Sequence, residues 1–306
     1  MRRASSASID SENTPKRRDF FPPRSRARDG SISRILPFAN LTRADFDTLP
    51  HFSKFAAGKI RCMTAKQLGT VLENNDLSTA EKLSFTVKIH FDLCGLKHFN
   101  DFQDRLDQIA EQDFLQPLLE LCQIQHALSY VSVRLLGLFT MTSKSTKALI
   151  DLSVLDIMTT CLRRQNEWLC IRFIVEIIYT ICQSDLIKTR AALEQISRLD
   201  ASILLSFANP FQVSVWINNN NRDEPFLSRI HILRILETML LTRKGRQAMM
   251  KAGALFSILD LLSQHKRGMQ TLTVQETLLL HRLKSTMLFW ESLVQTRLAV
   301  ETNFLV

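Results

Sequence analysis

From about residue 52 onward, apolar residues recur at intervals of three and four, as in Leu83, Val87, Phe91 and Cys94, or Leu255, Ile258, Leu259 and Leu262. That is the period of one face of an α-helix. Five segments, at about 79–94, 126–141, 167–182, 226–242 and 275–296, are apolar around most of their circumference. Such helices need cover on several sides, which a stacked array supplies. A shorter helix is predicted before each, with paired apolar residues two spacers apart, as in Phe114-Leu115-Gln116-Pro117-Leu118-Leu119. With Gly253 as anchor at the bend before the last short helix, the equivalent positions are Lys66, Asp113, Ser153 and Arg198, at spacings of 47, 40, 45 and 55.

The chain also repeats itself in identity. Residues 131–159 lie on 231–259 without a gap, so that Arg134, Leu136, Thr142, Lys144, Ala148 and Leu155 meet Arg234, Leu236, Thr242, Lys244, Ala248 and Leu255. The offset is two units of about 50 residues, a helical-repeat period. Helix ends are written locally. Ser78-Thr79-Ala80-Glu81 is a capping box for a helix running to Gly95, expected to be a left-handed stop; Asn166 and Asp223-Glu224-Pro225 open two others. The 209–225 segment interrupts the pattern, with Phe211, Val213, Val215 and Ile217 alternating with Gln212, Ser214 and Trp216. It is either a partner-binding arm able to pair as a strand or a loop that buries Phe211 and Trp216 locally.

The run Lys251-Ala252-Gly253-Ala254-Leu255-Phe256-Ser257-Ile258-Leu259-Asp260-Leu261-Leu262 resembles the turn and second helix of an armadillo repeat. The resemblance extends over about 52–300, and because the other four units lack the glycine, the HEAT arrangement stays open beside it. It implies an all-α, right-handed α-solenoid of about five armadillo/HEAT-like repeats in residues 51–306, preceded by a tail. Its expected work is non-catalytic: a scaffold or adaptor holding a protein partner on its concave surface and central loop. A fainter likeness, in Leu72 to Leu83 followed by Phe102, Leu106 and Phe114-Leu115, is to the helical domain of wings-apart-like cohesin regulators. That likeness implies a nuclear, chromatin-associated alternative.

Composition supports the helical reading, because 8 Gly and 8 Pro in 306 residues leave little for the turns of an all-β protein. Five of the prolines fall in residues 1–50, which read as a disordered, basic Ser/Arg/Pro-rich tail. Residues 1–60 hold 12 of the 39 Lys/Arg and 6 of the 30 Asp/Glu, so 6 of the net +9 charges belong to that end. The overall charge is therefore no argument for a nucleic-acid groove; the tail alone would bind nucleic acid, weakly and with steep salt dependence. Six dispersed cysteines, Cys62, Cys94, Cys122, Cys161, Cys170 and Cys182, read as small buried hydrophobes of a reducing compartment. With neither a leader nor a span legible, the expectation is a soluble intracellular protein of cytoplasm, nucleus or both.

In the tail, Arg2-Arg3 and Lys16-Arg17-Arg18 have the form of a bipartite import signal that would engage an import receptor, or else merely solubilise the chain. Ser5 and Ser31 follow basic residues as in basophilic kinase sites, where phosphate would cancel part of the charge. His90, Cys94 and His98 share a four-residue spacing, but zinc needs further ligands and the helix is expected to stop at Gly95, so a core cysteine flanked by two histidines is preferred. There is no GxSxG, P-loop, GxGxxG or HExxH, and neither a cofactor nor an enzyme is expected, although a site dispersed along the chain would leave no motif. Arg134 and Arg234 are repeat equivalents, and Arg172 and Arg282 fall near the same place in their own helices. They form either a ladder that grips an acidic peptide or flank residues with packed stems and solvated heads.

Overall fold

The computed structural model describes residues 60–96, 98–126, 129–164, 168–208, 229–269 and 271–303. The tail with Arg2, Arg3, Ser5, Lys16, Arg17, Arg18 and Ser31, the 209–225 segment with Phe211 and Trp216, and the helix openings expected at Asn166 and Asp223 lie outside the described residues. Those residues form fourteen α-helices and two 3-10 turns, and there is no strand among them. In chain order the helices are α1 (Ala65–Glu73), α2 (Thr79–Cys94), α3 (Phe99–Ile109), α4 (Gln112–Cys122), α5 (Tyr130–Leu138), α6 (Ser143–Asp151) and α7 (Val154–Arg164). They continue as α8 (Trp168–Gln183), α9 (Arg190–Ile196), α10 (Ala201–Ala208), α11 (Arg229–Met239), α12 (Arg243–Lys251), α13 (Ala254–Lys266) and α14 (Val274–Asn303). None of the described helices is long and apolar enough to cross a membrane.

Packing follows sequence order within three rows. The apolar helices make one row, with α2 against α5, α5 against α8, α8 against α11 and α11 against α14. In a second row α1 packs on α4, α4 on α7 and α10 on α13. In the third, α3 packs on α6 and α6 on α9. One apolar core runs from Ile60 to Met287.

The tightest approach is in the second row. Pro117 lies inside α4 and has no N–H to give the carbonyl of Asp113 four residues earlier. That carbonyl is turned against Gly69 of α1, where a side chain would overlap it. Two interruptions of ideal helix chemistry thus fit together: a proline frees an oxygen and a glycine lets a backbone come up to it, as close Cα–H···O contacts require.

Local hydrogen bonds set the helix starts. Ser78 and Glu81 form the expected box, Ser78 N–H donating to Glu81 Oε2 at 2.8 Å and Glu81 N–H to Ser78 Oγ at 3.3 Å. Thr64 with Gln67 and Thr273 with Glu276 make the same box at α1 and α14. Three later helices, α6, α9 and α12, each start on a threonine whose Oγ1 accepts from the N–H three residues on, Thr142 from Ser145, Thr189 from Ala192 and Thr242 from Gly245, whereas α3 starts on His98 without such a bond. All three acceptor turns carry a small, buried residue, a recurrent feature not anticipated beyond the Thr142/Thr242 match.

The repeat equivalence of Ser153 and Gly253 is realised in the backbone, since both are left-handed, at φ 58° and 67°. Elsewhere the phase moves. The residues just before the second-row helices are Thr64, Glu111, Ser153, Asp200 and Gly253, so three anchors shift by two from Lys66, Asp113 and Arg198. Apolar pairs fix a helix face only to within part of a turn, whereas α1 and α10 start where an acceptor is available, at Thr64 and at Asp200, whose Oδ1 receives the N–H groups of Ser202 and Ile203; α4 starts after Glu111 without a side-chain cap. Gly95 ends α2 in the right-handed region (φ −81°), not the left-handed one expected. Cys62 is exposed, against the expectation for it, because it lies before α1 outside the helix stack of the described residues; Cys94 is half-buried, and Cys122, Cys161, Cys170 and Cys182 are buried.

Candidate functional site

The row α5, α8, α11, α14 carries the four arginines singled out by the sequence, one per helix, but they differ in environment. Arg134 is only 6% exposed, and its guanidinium lies over the Phe173 ring of α8 at 5.0 Å. Arg172 approaches the same ring at 5.9 Å. These are cation–π arrangements, worth more where water is excluded. Arg134 therefore ties α5 to α8 and presents little charge to solvent, which is the packed-stem alternative in stronger form.

Arg234 and Arg282 meet on one carboxylate. Arg234 Nη1 donates to Glu237 Oε2 at 2.8 Å within α11, and Arg282 Nη2 of α14 donates to Glu237 Oε1 at 2.7 Å. Each oxygen serves one guanidinium, a charge-assisted arrangement that fixes the carboxylate plane. The Arg282 side chain is 64% exposed, so its outer edge faces water.

Next to this pair, Glu176 Oε1 of α8 lies 2.8 Å from His231 Nδ1 of α11. The His231 ring stacks on Tyr179 with centroids 3.8 Å apart and planes within 14°. Burial pushes the Tyr179 hydroxyl up from its ordinary pKa, with Arg234 opposing and Glu176 adding to the rise. A half-buried polar strip thus crosses three helices, through Arg172, Glu176 and Tyr179 on α8, His231, Arg234 and Glu237 on α11, and Arg282 on α14.

The sequence reading missed Glu176, Tyr179, His231 and Glu237. Their signal was present: Arg172, Glu176 and Tyr179 follow a 4,3 spacing, and His231, Arg234 and Glu237 a 3,3 spacing, inside otherwise apolar helices. Polar residues on one stripe of a helix that is apolar elsewhere mark a face that neighbouring helices leave partly open.

Of the His90, Cys94 and His98 candidates, the first two pack together. His90 is buried with Nδ1 3.8 Å from Cys94 Sγ, while His98 is exposed at the start of α3. Among the described residues no group of three or more His, Cys, Asp or Glu is arranged to hold a metal. Burial pushes the Cys94 thiol up to about 12 against the pull of Arg134, and Cys182 up to about 12 as well. Such thiols are neutral and poorly nucleophilic. A cleft of about 290 Å³ lies between Arg61, Asp92, Asp101, Asp104 and Arg105. Its cations are already engaged: Arg61 Nε binds Asp92 Oδ1 at 2.6 Å, and Arg105 Nη2 donates to the carbonyls of Ile60 and Met63 at 3.1 and 2.7 Å.

No family model, no curated protein and no solved structure matches the chain.

Proposed function

We propose that this chain is a non-catalytic interaction scaffold, a right-handed armadillo/HEAT-like solenoid of five units whose row of apolar helices carries the binding face. The unit boundaries would be α1–α2, α3–α5, α6–α8, α9–α11 and α12–α14. The reading is supported by the order of packing in the three rows, where every apolar-row helix and most helices of the other two rows meet the one at the same place in the next unit. It draws further support from the left-handed bend shared by Ser153 and Gly253 and the threonine starts shared by three units.

The observation that carries the binding role is the strip from Arg172 to Arg282. Arginines outnumber carboxylates there by three to two, and the members from Glu176 to Arg282 are held by each other, which lowers the cost of ordering the site when a partner binds. An acidic segment of a protein partner fits that chemistry, with Arg172 and Arg282 as the reachable cations. The test compares partners captured by the wild-type chain with those captured by Arg282→Glu and by Arg172→Glu/Arg282→Glu. Partners that bind here are lost from both variants, and the loss is mimicked by raising salt. An unchanged partner set with folded variants overturns the assignment. Whether the scaffold acts in the nucleus is decided separately, by the distribution of a chain lacking residues 1–34.

A further inference from the structure

We propose that α14 is a self-association surface, through which two copies of this chain pair about a twofold axis. α14 is 30 residues long, against 16 for α2 and for α8. Its inward face is formed by Leu279, Leu280, Leu283 and Met287, all buried. On the opposite side a second stripe runs Val274, Leu278, His281, Ser285, Leu288 and Ser292, at alternating spacings of four and three, and every member is exposed. Val274 is 79% and Leu278 59% exposed. A helix with apolar positions on both sides is one that neighbours cover on both sides.

The repeat shows what such a face does elsewhere in the same molecule. α11 is flanked by α8 and α14, and α8 by α5 and α11, whereas no described helix stands beyond α14 in the row. The second and third rows agree. In the α6–α7 unit, Ile150 and Thr159 are buried, the Ile150 carbonyl receives Gln195 Nε2 of α9 at 2.6 Å, and Asp156 pairs with Arg198 at 3.4 Å. One hundred residues on, the equivalents Met250, Phe256 and Leu259 are exposed, Phe256 to 80%. The surface that one unit offers the next thus continues to the α12–α14 unit and is left open there.

The occupant is a second copy for two reasons. The exposed parts of Phe256 on α13 and of Val274, Leu278, Leu288, Phe289 and Leu293 on α14 amount to roughly 700 Å², close to the ~800 Å² per partner of a standard interface. At the other end of the row, among the described residues, α2 presents little to stack on, because it is buried from Leu83 to Leu93 apart from half-buried Lys88 and exposed Phe91. Head-to-tail growth is therefore closed off, and the isologous arrangement of α14 on α14 remains. Antiparallel pairing about a point near residue 283 sets Leu278 against the partner's Leu288 and His281 against the partner's Ser285, each contact made twice.

The experiment is sedimentation equilibrium on the full chain between 1 and 100 µM, the wild type beside Leu278→Glu/Leu288→Glu and, as a control, Ile124→Glu at an exposed apolar position outside the α12–α14 unit. The wild type and the control should have the mass of two chains at the upper concentrations and the double variant that of one, with an unchanged circular-dichroism melt. If the double variant melts early, Val274→Glu, at the first turn of α14, replaces it. A wild type that stays single to 100 µM, or a folded α14 variant that stays paired, overturns the proposal.

Discussion

Replacing Gly69 by alanine sets helix propensity and packing against each other, so the sign of the effect is informative. Propensity alone predicts a gain of about 1 kcal/mol, since glycine is the poorest ordinary residue inside a helix. The structure predicts a loss. A Cβ at Gly69 would overlap the Asp113 carbonyl oxygen and come within 2.8 Å of its carbon, whereas carbon–carbon contacts are most favourable at ~3.5–4.0 Å. Because the obstruction is backbone, α1 has to retreat from α4 by about 1 Å, and a gap of that size forfeits a quarter to a half of each contact's attraction. The contacts at stake are among Leu68, Leu72, Phe114, Leu115 and Leu118, all fully or nearly buried. Overpacking costs about 1–3 kcal/mol, and the upper part of that range, about 2–3 kcal/mol, applies where the obstruction is backbone, so the net expectation is a destabilisation of ~1–2 kcal/mol after the propensity gain of about 1 kcal/mol. Urea unfolding followed by circular dichroism reads it as a lowered midpoint. A midpoint equal to or above the wild type would show that α1 and α4 are not in backbone contact and that Gly69 is a replaceable helix residue.

Other outcomes follow from single sites. Ser153→Gly should stabilise and Gly253→Ala destabilise, each by about 1 kcal/mol, because both positions are left-handed; melts that shift in the same direction would refute the shared bend. Glu237→Gln should cost ~1 kcal/mol at low salt and less at 0.5 M, since two partly solvated guanidinium groups lose a shared acceptor; a loss unaffected by salt would mean that the pairs carry no electrostatic stabilisation. A maleimide added to the native protein at pH 7 should label Cys62 and spare Cys122, Cys161, Cys170 and Cys182, and peptide mapping that finds the buried thiols labelled before unfolding contradicts their placement. Burial raises the Cys161 thiol to about 11 and the Cys182 thiol to about 12, so above pH 9 the unfolded chain releases protons that the folded chain retains, and stability falls as pH rises. The alkaline fall in melting temperature should flatten in Cys182→Ala, and an unchanged slope counts against burial as its cause.

What could be read from the chain alone lay within three or four residues of itself. The Ser78–Glu81 box, the bounds of α2, and the pairing of Ser153 with Gly253 and of Thr142 with Thr242 depend on hydrogen bonds and dihedral preferences that close inside one turn. Placement of the second-row helices was legible only to two residues, because paired leucines tolerate rotation that a cap does not. The polar strip was visible in parts, as arginines at matching places, but its character was not. Arg134 became a buried cation over Phe173, and Glu237 reached Arg282 across 45 positions of sequence. Whether a guanidinium ends in water, on a ring or on a carboxylate depends on how each helix is rotated and advanced along the row. Those few degrees and ångströms are set by the sum of core contacts, so they exist only in the folded molecule.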